Sequence, residues 1–449
     1  MYLNFNFKYI NMITNLKTMK TKIKSIGIKL CLISILISCS LSSTAETNNL
    51  FNHKKEKESK DSSYIKITGK IIDAESYETL IFANIYLLNT NIATVSNSDG
   101  EFVIKVPRSK ENSKIEFSYI GYQNISIAIK KLNKAKNTIR LKKTSIPLAE
   151  IKVRPQNPRE LVEEAFKRIP NNYSTDANML TGFYRETVKK NWNYIAISEG
   201  ILEIYKTPYN SNANDLIKLY KGRKSSDVKR MDTINFKLQG GPNTTMLLDI
   251  VKNPYILVNN SFEYFSFNLS NITKIDNKIN YVIEFEQTPF GSQPVYNGKF
   301  YIDMETLAIT ALEFNLNTDL AHNATNMLVR KKPLFMKVTP LSANYYVNYH
   351  NTDGKWYLNY ARSEVVFKSK WKKKLFSSKY TIMSEIAITD RKDTDVKKFN
   401  RKEVLSPRDV FVEKVSYFSE NGFWGNYNYI KPEDSIESAI KKLNRKLNK

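Results

Sequence analysis

Between Tyr64 and Lys143 the chain carries seven short, closely spaced apolar runs separated by turn residues, with no helical period anywhere in the stretch. The runs are Ile65 to Ile72, Ala83 to Leu88, Ala93 to Ser96, Phe102 to Val106, Lys114 to Tyr119, Asn124 to Ile129 and Thr138 to Leu141. Each alternates or is short and continuous, the pattern of strands. Seven strands in so short a span bury their apolar side chains by stacking two small sheets, so a β-sandwich is expected. Asn97-Ser98-Asp99-Gly100 should close a tight turn, with Gly100 at positive φ and Asp99 bonding the following backbone. Gly121 should mark a bulge or corner.

Four segments taken together carry a family resemblance: Thr68-Gly69-Lys70-Ile71-Ile72-Asp73, Leu80-Ile81-Phe82-Ala83-Asn84-Ile85, Thr94 to Phe102, and Phe117-Ser118-Tyr119-Ile120-Gly121-Tyr122. As a set they closely resemble the carboxypeptidase regulatory-like domain of Bacteroidetes envelope proteins. The resemblance implies a transthyretin-like sandwich, a module common in front of TonB-dependent outer-membrane receptors and in other exported proteins. It implies no peptidase activity, because the module is the accessory domain of carboxypeptidases.

The N-terminus reads as a signal segment over residues 1–45. Lys20, Lys22, Lys24 and Lys29 precede the apolar run Leu30 to Leu41, and Ser43-Thr44-Ala45 offers small residues for cleavage. The run is shorter than the roughly 20 residues a spanning helix needs. Leu36-Ile37-Ser38-Cys39 resembles a bacterial lipobox, which would make Cys39 the lipidated first residue of the mature chain. Cleavage after Ala45 is the other reading of the same residues. The two cysteines, Cys31 and Cys39, both lie in this segment, so the folded part is expected to hold no disulfide and no thiolate site.

Residues 46–62 are polar and charged, a flexible tether. The sandwich is expected over 63–145, and a connector and helix over 146–178. In that connector a strand is expected at Ile146 to Val153. The helix should be capped by Asn157, with Pro158 in its first turn, Glu160 completing a capping box and Pro170 stopping it. Leu161, Ala165, Phe166 and Ile169 supply its apolar face.

Over 179–400 a larger antiparallel β domain is expected, so the fold class is mainly β with a few helices. Its strands are read at Tyr194 to Tyr205, Phe262 to Leu269, Lys278 to Glu286, Gly298 to Asp303, Ala308 to Leu316, Ser342 to His350, Lys355 to Lys368 and Lys379 to Thr389. His350 to Trp356 reads as a hairpin tip around Asp353-Gly354, and a short helix is expected at Thr244 to Val251. Tyr296 to Ile309 reads as strand, turn, strand. It is similar to sheet hairpins of lipoprotein-carrier-like half-barrels, in which a curved sheet wraps a helix; that resemblance implies an α+β half-barrel able to hold an apolar ligand. In the segment 401–449 a helix should begin near Ser435. Asp434 and Glu437 would form its capping box, and Ile436, Ile440, Leu443 and Leu447 a stripe that packs on the second domain.

Chemistry is sparse. Of the three histidines, His53 starts an H-x-x-E string in the tether with no third ligand near it, and His322 and His350 fall in apparent loops. No G-x-S-x-G elbow or phosphate-binding glycine loop occurs. Glu199 with Glu203, and Asp303 with Glu305, have the spacing of solvent-facing strand positions as much as of paired acids. Neither a metal site nor a cofactor is expected. The formal charge of +25 is scattered along the chain rather than gathered with stacking aromatics, which argues against nucleic acid. Aromatic density is the remaining signal. Tyr345, Tyr346, Tyr349, Trp356, Tyr357 and Tyr360 occupy both arms of one hairpin, either as cross-strand packing or, for Tyr345, Tyr349, Trp356 and Tyr360, as a ligand platform.

The sequence therefore describes an exported, non-enzymatic protein of the periplasm or outer membrane with a binding or scaffolding role. A glycan, a lipid or an envelope protein is its expected partner, and membrane association would come through a lipid anchor or an outer-membrane partner. The alternatives are an accessory of a TonB-dependent receptor and a carrier of a lipid or other apolar ligand.

Overall fold

All seven sandwich strands form where the apolar runs place them. They are β1 Tyr64–Asp73, β2 Asn84–Leu87, β3 Ala93–Val95, β4 Glu101–Pro107, β5 Lys114–Ser118, β6 Ile125–Ala128 and β7 Asn137–Leu141. The computed structural model describes residues 63–134, 136–144, 157–226, 241–254, 262–288, 295–317, 335–372, 375–393, 396–417 and 422–447. The signal segment with Cys39, the tether with His53, the connecting strand at 146–153 and His322 lie outside them.

One sandwich sheet has the order β4-β1-β7 and the other β3-β2-β5-β6. Ile67, Ile71, Ile85, Phe102, Ile104, Phe117 and Ile139 fill the space between them. Gly100 has φ 72°, and a Cβ there would lie 2.9 Å from the Ile71 carbonyl oxygen, so the turn excludes a side chain for two reasons. Asn97 does the bonding assigned above to Asp99: its Oδ1 accepts from the backbone N–H of Asp99 at 2.9 Å and of Glu101 at 2.8 Å. Asp99 instead accepts from the N–H of Asp434 in the C-terminal helix, at 3.2 Å.

The second sheet has eleven strands: β8 Asn178–Lys190, β9 Asn193–Lys206, β10 Leu216–Ser226, β11 Phe265–Ile275, β12 Lys278–Gln287, β13 Tyr296–Asp303, β14 Ile309–Leu316, β15 Met336–Thr352, β16 Lys355–Trp371, β17 Ser378–Lys392 and β18 Ser416–Tyr417. Their order is β11-β12-β13-β14-β15-β16-β17-β8-β9-β10-β18. Neighbours are antiparallel except β10 and β18. The chain lays β8 down first and returns two hundred residues later to pair β17 with it. The β15–β16 hairpin turns at Asp353 (φ 53°) and Gly354 (φ 81°), the backbone a two-residue hairpin turn needs.

Consecutive residues of the central strands enter different cores. Tyr184, Leu202, Ala361 and Ile386 belong to one, while their neighbours Phe183, Ile201, Tyr360 and Ala387 belong to another. The sheet is thus covered on both faces. One face carries α1 Pro158–Lys167, the single turn α2 Ile169–Asn172, α3 Pro242–Met246 and α4 Phe411–Lys414. Here Phe166 of α1 packs on Phe262 and Phe300. The opposite face carries the sandwich, through Val95 and Phe82, and the tail, through Trp424 and Ile430. The final helix, α5 Asp434–Leu447, seats Ile436 and Leu443 against Ile197 of β9.

Helix ends differ from expectation in instructive ways. Asn157 caps α1 by accepting from the Arg159 N–H at 3.1 Å, but the Glu160 carboxylate meets the Asn157 side-chain amide, closing the box through side chains alone. Pro170 does not simply stop α1. It sits in the first turn of α2, where its missing N–H costs nothing. The short helix expected from Thr244 begins two residues earlier because Pro242 likewise takes a first-turn position.

Candidate functional site

At mid-sheet, five adjacent strands place alternating charges in register. Arg223 of β10 lies opposite Glu199 of β9, which lies opposite Arg185 of β8. Arg185 lies opposite Glu385 of β17, and Glu385 opposite Arg362 of β16. Arg223 Nε reaches Glu199 Oε2 at 3.0 Å and Arg185 Nε reaches Glu199 Oε1 at 2.8 Å. Arg185 Nη1 meets Glu385 Oε1 at 3.2 Å, and Glu385 Oε2 accepts from the Tyr360 hydroxyl at 2.6 Å. Arg185 and Glu199 are 0% exposed. Burial alone would push the Glu199 carboxyl up, but the guanidiniums of Arg185 and Arg223 outweigh it and hold its pKa below the usual value.

The row is the floor on which the tail and sandwich sit. Arg185 Nη2 donates to the carbonyl of Ile430 at 2.7 Å. The guanidinium of Arg223 lies 4.6 Å from the Trp424 ring centroid, and that of Arg362 lies 4.7 Å from the ring of Phe82 in the sandwich. Beside the row, Asn84 Oδ1 accepts from Asn359 at 2.8 Å and Asn348 at 3.1 Å. Tyr86 stacks on His350 with centroids 3.7 Å apart, and His350 Nδ1 lies 2.9 Å from Asp276 Oδ2. The tail is clamped between the two: Asn428 Oδ1 accepts from the Lys105 N–H at 2.6 Å, and Lys431 pairs with Glu101.

Where sandwich, sheet and tail meet, a cleft of about 370 Å³ opens. Its walls include Tyr64, Lys105, Thr181, Asp390, Asn426 and Tyr427. The Lys105 ammonium donates to the Gly425 carbonyl and lies between the rings of Tyr64 and Tyr429, 5.2 and 4.9 Å from their centroids. Burial, with the nearby cations Lys66, Arg223 and Lys221, lowers its pKa to about 8. Burial raises that of Asp390. A cation, a carboxyl group, amides and aromatic walls converge there, as they do in sites that orient a polar ligand.

The aromatic platform read from the sequence is not an open surface. Tyr349, Trp356 and Tyr360 are buried. Tyr349 and Trp356 belong to the core beneath the helices and Tyr360 to the core beneath the sandwich. The Tyr349 hydroxyl donates to Asp249 at 2.9 Å, beside the buried pair of Lys206 with Asp215 and Asp249, each 2.7 Å away. Tyr345 is half-buried and stacks on Phe314 at 4.7 Å. His350 is in β15, not a loop. Glu199 and Asp303 are buried rather than solvent-facing, Glu199 because the tail and sandwich cover its face and Asp303 because it closes the turn to Thr306. Sequence reasoning misses Arg185, Arg362, Glu385, Lys105 and Asp390; a lone charge inside an apolar run marks Glu385 in Met383 to Ala387 and Lys105 in Phe102 to Val106, whereas Arg185, Arg362 and Asp390 each sit within two residues of another charge. Among the described residues no group of three or more His, Cys, Asp or Glu could hold a metal, and no helix is long and apolar enough to cross a membrane.

Residues 67–153 match the family model of the CarboxypepD_reg-like domain, so the sandwich is a module of that non-enzymatic class. Joined to a large antiparallel sheet, it is compatible with a binding or scaffolding role. Comparison with curated proteins returned no match. Among solved structures, lipovitellin, in a structure of its lipid–protein interactions, is similar at 8% identity and a TM-score of 0.24, over 51% of this chain and 26% of its own. A DUF1329 family protein from Desulfovibrio piger is similar at 10% identity and a TM-score of 0.23, over 56% of this chain and all of its own.

Proposed function

We propose that this is a non-enzymatic exported protein of the cell envelope that binds a polar ligand, a glycan or a segment of another envelope protein, in the junction cleft. The supporting observation is that Lys105 and Asp390 line a cleft, whereas the charges of the mid-sheet row and the Lys206 cluster are closed into buried pairs. Residues 1–45 supply the export signal, and the sandwich and tail hold the walls of the cleft in place.

The test is a screen of the protein against arrays of glycans and envelope-derived peptides, followed by Lys105→Met and Asp390→Asn. The expected result is a ligand whose affinity falls at least about tenfold in either variant, the scale of one charge-assisted hydrogen bond. The melting temperature should stay near that of the parent in Asp390→Asn and fall by a few degrees in Lys105→Met, which also loses the bond to Gly425. A ligand indifferent to both substitutions would remove the cleft from the account. Hydrolysis of a screened compound, abolished by one substitution, would overturn the non-enzymatic reading.

A further inference from the structure

The three most exposed large hydrophobic side chains among the described residues are Trp192, Leu375 and Phe376, at 92, 89 and 85%. Trp192 is far from the other two in sequence, yet all three share one end of the sheet. Trp192 is in the β8–β9 turn, and Leu375 and Phe376 are in the β16–β17 turn. The two turns are joined: the Asn191 N–H donates to the Lys379 carbonyl at 2.6 Å, and Asn191 Oδ1 accepts from the Lys379 N–H at 3.0 Å. Phe335, 66% exposed at the start of β15, is tied to the same end through its carbonyl, which accepts from the Lys372 N–H at 2.9 Å.

Along the two turns and the near ends of the strands that carry them the charge is of one sign. The segment 365–384 holds six lysines and no acid, 187–198 adds Lys189 and Lys190 without an acid, and 335–352 adds Lys337 without one. Lys337, Lys368, Lys370, Lys372 and Lys379 are exposed. Moving inward along these strands, the first acids are Glu186, Glu199, Glu364 and Glu385, the last two and Glu199 already paired with arginine. Of the tail's acids near Tyr194, Glu433 reaches its hydroxyl at 3.4 Å and is buried, and Asp434 and Glu437 lie in the first turn of α5, with the Asp434 N–H bonded to Asp99 of the sandwich.

We propose that this end of the sheet docks on an anionic phospholipid surface. Trp192, Leu375 and Phe376 enter the boundary between headgroups and acyl chains while the surrounding lysines meet the phosphates. Indole rings favour that boundary, and lysines near an anionic leaflet are drawn to it. A second copy of the chain fits poorly, because the lysines would face lysines and strand ends cannot extend a sheet whose edges are β11 and β18. The docking is independent of the junction cleft.

The test uses the full chain with vesicles of phosphatidylcholine alone and of phosphatidylcholine with phosphatidylglycerol. Of the four tryptophans Trp356 and Trp424 are buried and Trp371 is half-buried at this same end, so the Trp192 signal is read as the difference between the parent and Trp192→Phe. The emission lost in Trp192→Phe should, in the parent, shift to the blue on anionic vesicles and be quenched by lipids brominated on the acyl chain. Lys370→Glu with Lys372→Glu and Lys379→Glu, and separately Leu375→Ser with Phe376→Ser, should weaken anionic-vesicle binding at least about tenfold. Far-ultraviolet circular dichroism should be unchanged, because all five side chains are exposed. Quenching that does not depend on Trp192, equal affinity for the two vesicle types, or salt-sensitive binding to duplex DNA with none to vesicles would overturn the proposal.

Discussion

Arg185 and Glu186 are sequence neighbours that β8 sends to opposite faces, and their fates show what burial does to a charge. Arg185 has Glu199, Glu385 and the Ile430 carbonyl around it. Replacing it with Met leaves two buried carboxylates short of a cation, so Arg185→Met should cost about 3–5 kcal/mol in urea unfolding. A loss near that of an exposed pair, about 1 kcal/mol or less, would mean the row is not a unit. Because the Glu199 pKa is depressed, its contribution is full above the ordinary carboxylate pKa and is lost as pH falls through the folded value. Glu186 works the other way. Burial, only partly offset by hydrogen bonds from the Tyr184 hydroxyl and the Val412 N–H, raises its pKa from 4.5 to about 7. The folded state then holds a proton that the unfolded chain releases, so stability is full below about 4.5 and falls as pH rises to 7. Glu186→Gln should remove that loss, leaving the variant the more stable by up to roughly 3 kcal/mol at pH 8 and near parity at pH 4. An equal difference at both pH values would refute the assignment.

At the scale of elements, the close approach of α4 and β18 to the sheet depends on missing side chains. A Cβ on Gly222 would lie 2.3 Å from Val415 Cγ1 and 3.1 Å from the Glu199 carbonyl oxygen. Gly222→Ala should therefore lift the segment 411–417 at a cost of about 1–3 kcal/mol, with amide exchange there rising while β8 and β17 stay protected. Unchanged exchange would show that Val415 repacks without moving the segment. The strands themselves were largely legible, since turn chemistry such as Asn97 to Gly100 and Asp353-Gly354 is local. Pairing was not: nothing near Asn178–Lys190 announces that it lies between β9 and β17, and because both faces are covered its buried stretch takes in Arg185, Glu186 and Thr187, which blurs the alternation of a strand. The charge row was illegible for the same reason. Arg185 beside Glu186, Arg223 between Lys221 and Lys224, and Arg362 near Glu364 look like ordinary surface charges until register brings them together with Glu199 and Glu385. The aromatics of β15 and β16 left two readings open because density of rings signals packing and recognition alike, and burial places Tyr349, Trp356 and Tyr360 in packed cores.

In the whole molecule, sandwich, sheet and tail share one buried face, and this makes the tail a structural keystone rather than an appendage. Residues 62–449 cluster as one unit. Within it, Trp424 packs edge-on against Phe183 at 5.4 Å, Ile430 caps Arg185, Asn428 holds β4, and the first turn of α5 is capped by Asp99 from the sandwich. The sandwich also touches the sheet directly, through Val95 and Phe82 in the core they share with Tyr360, the stack of Tyr86 on His350, and the bonds of Asn84 with Asn348 and Asn359. Folding of the two halves should therefore be coupled through the tail as well as through these direct contacts. Calorimetry of the full chain is expected to show one cooperative transition for this unit. A chain ending at residue 421 strips the cover from Phe183 and Ile201 and takes the carbonyl from Arg185, so its sheet should melt earlier. The sandwich, whose own core of Phe102, Phe117 and Ile104 is untouched, should then separate as a second transition. If the truncated chain melts in a single step at the parent's temperature, the direct contacts between sandwich and sheet suffice and the tail is not what joins them.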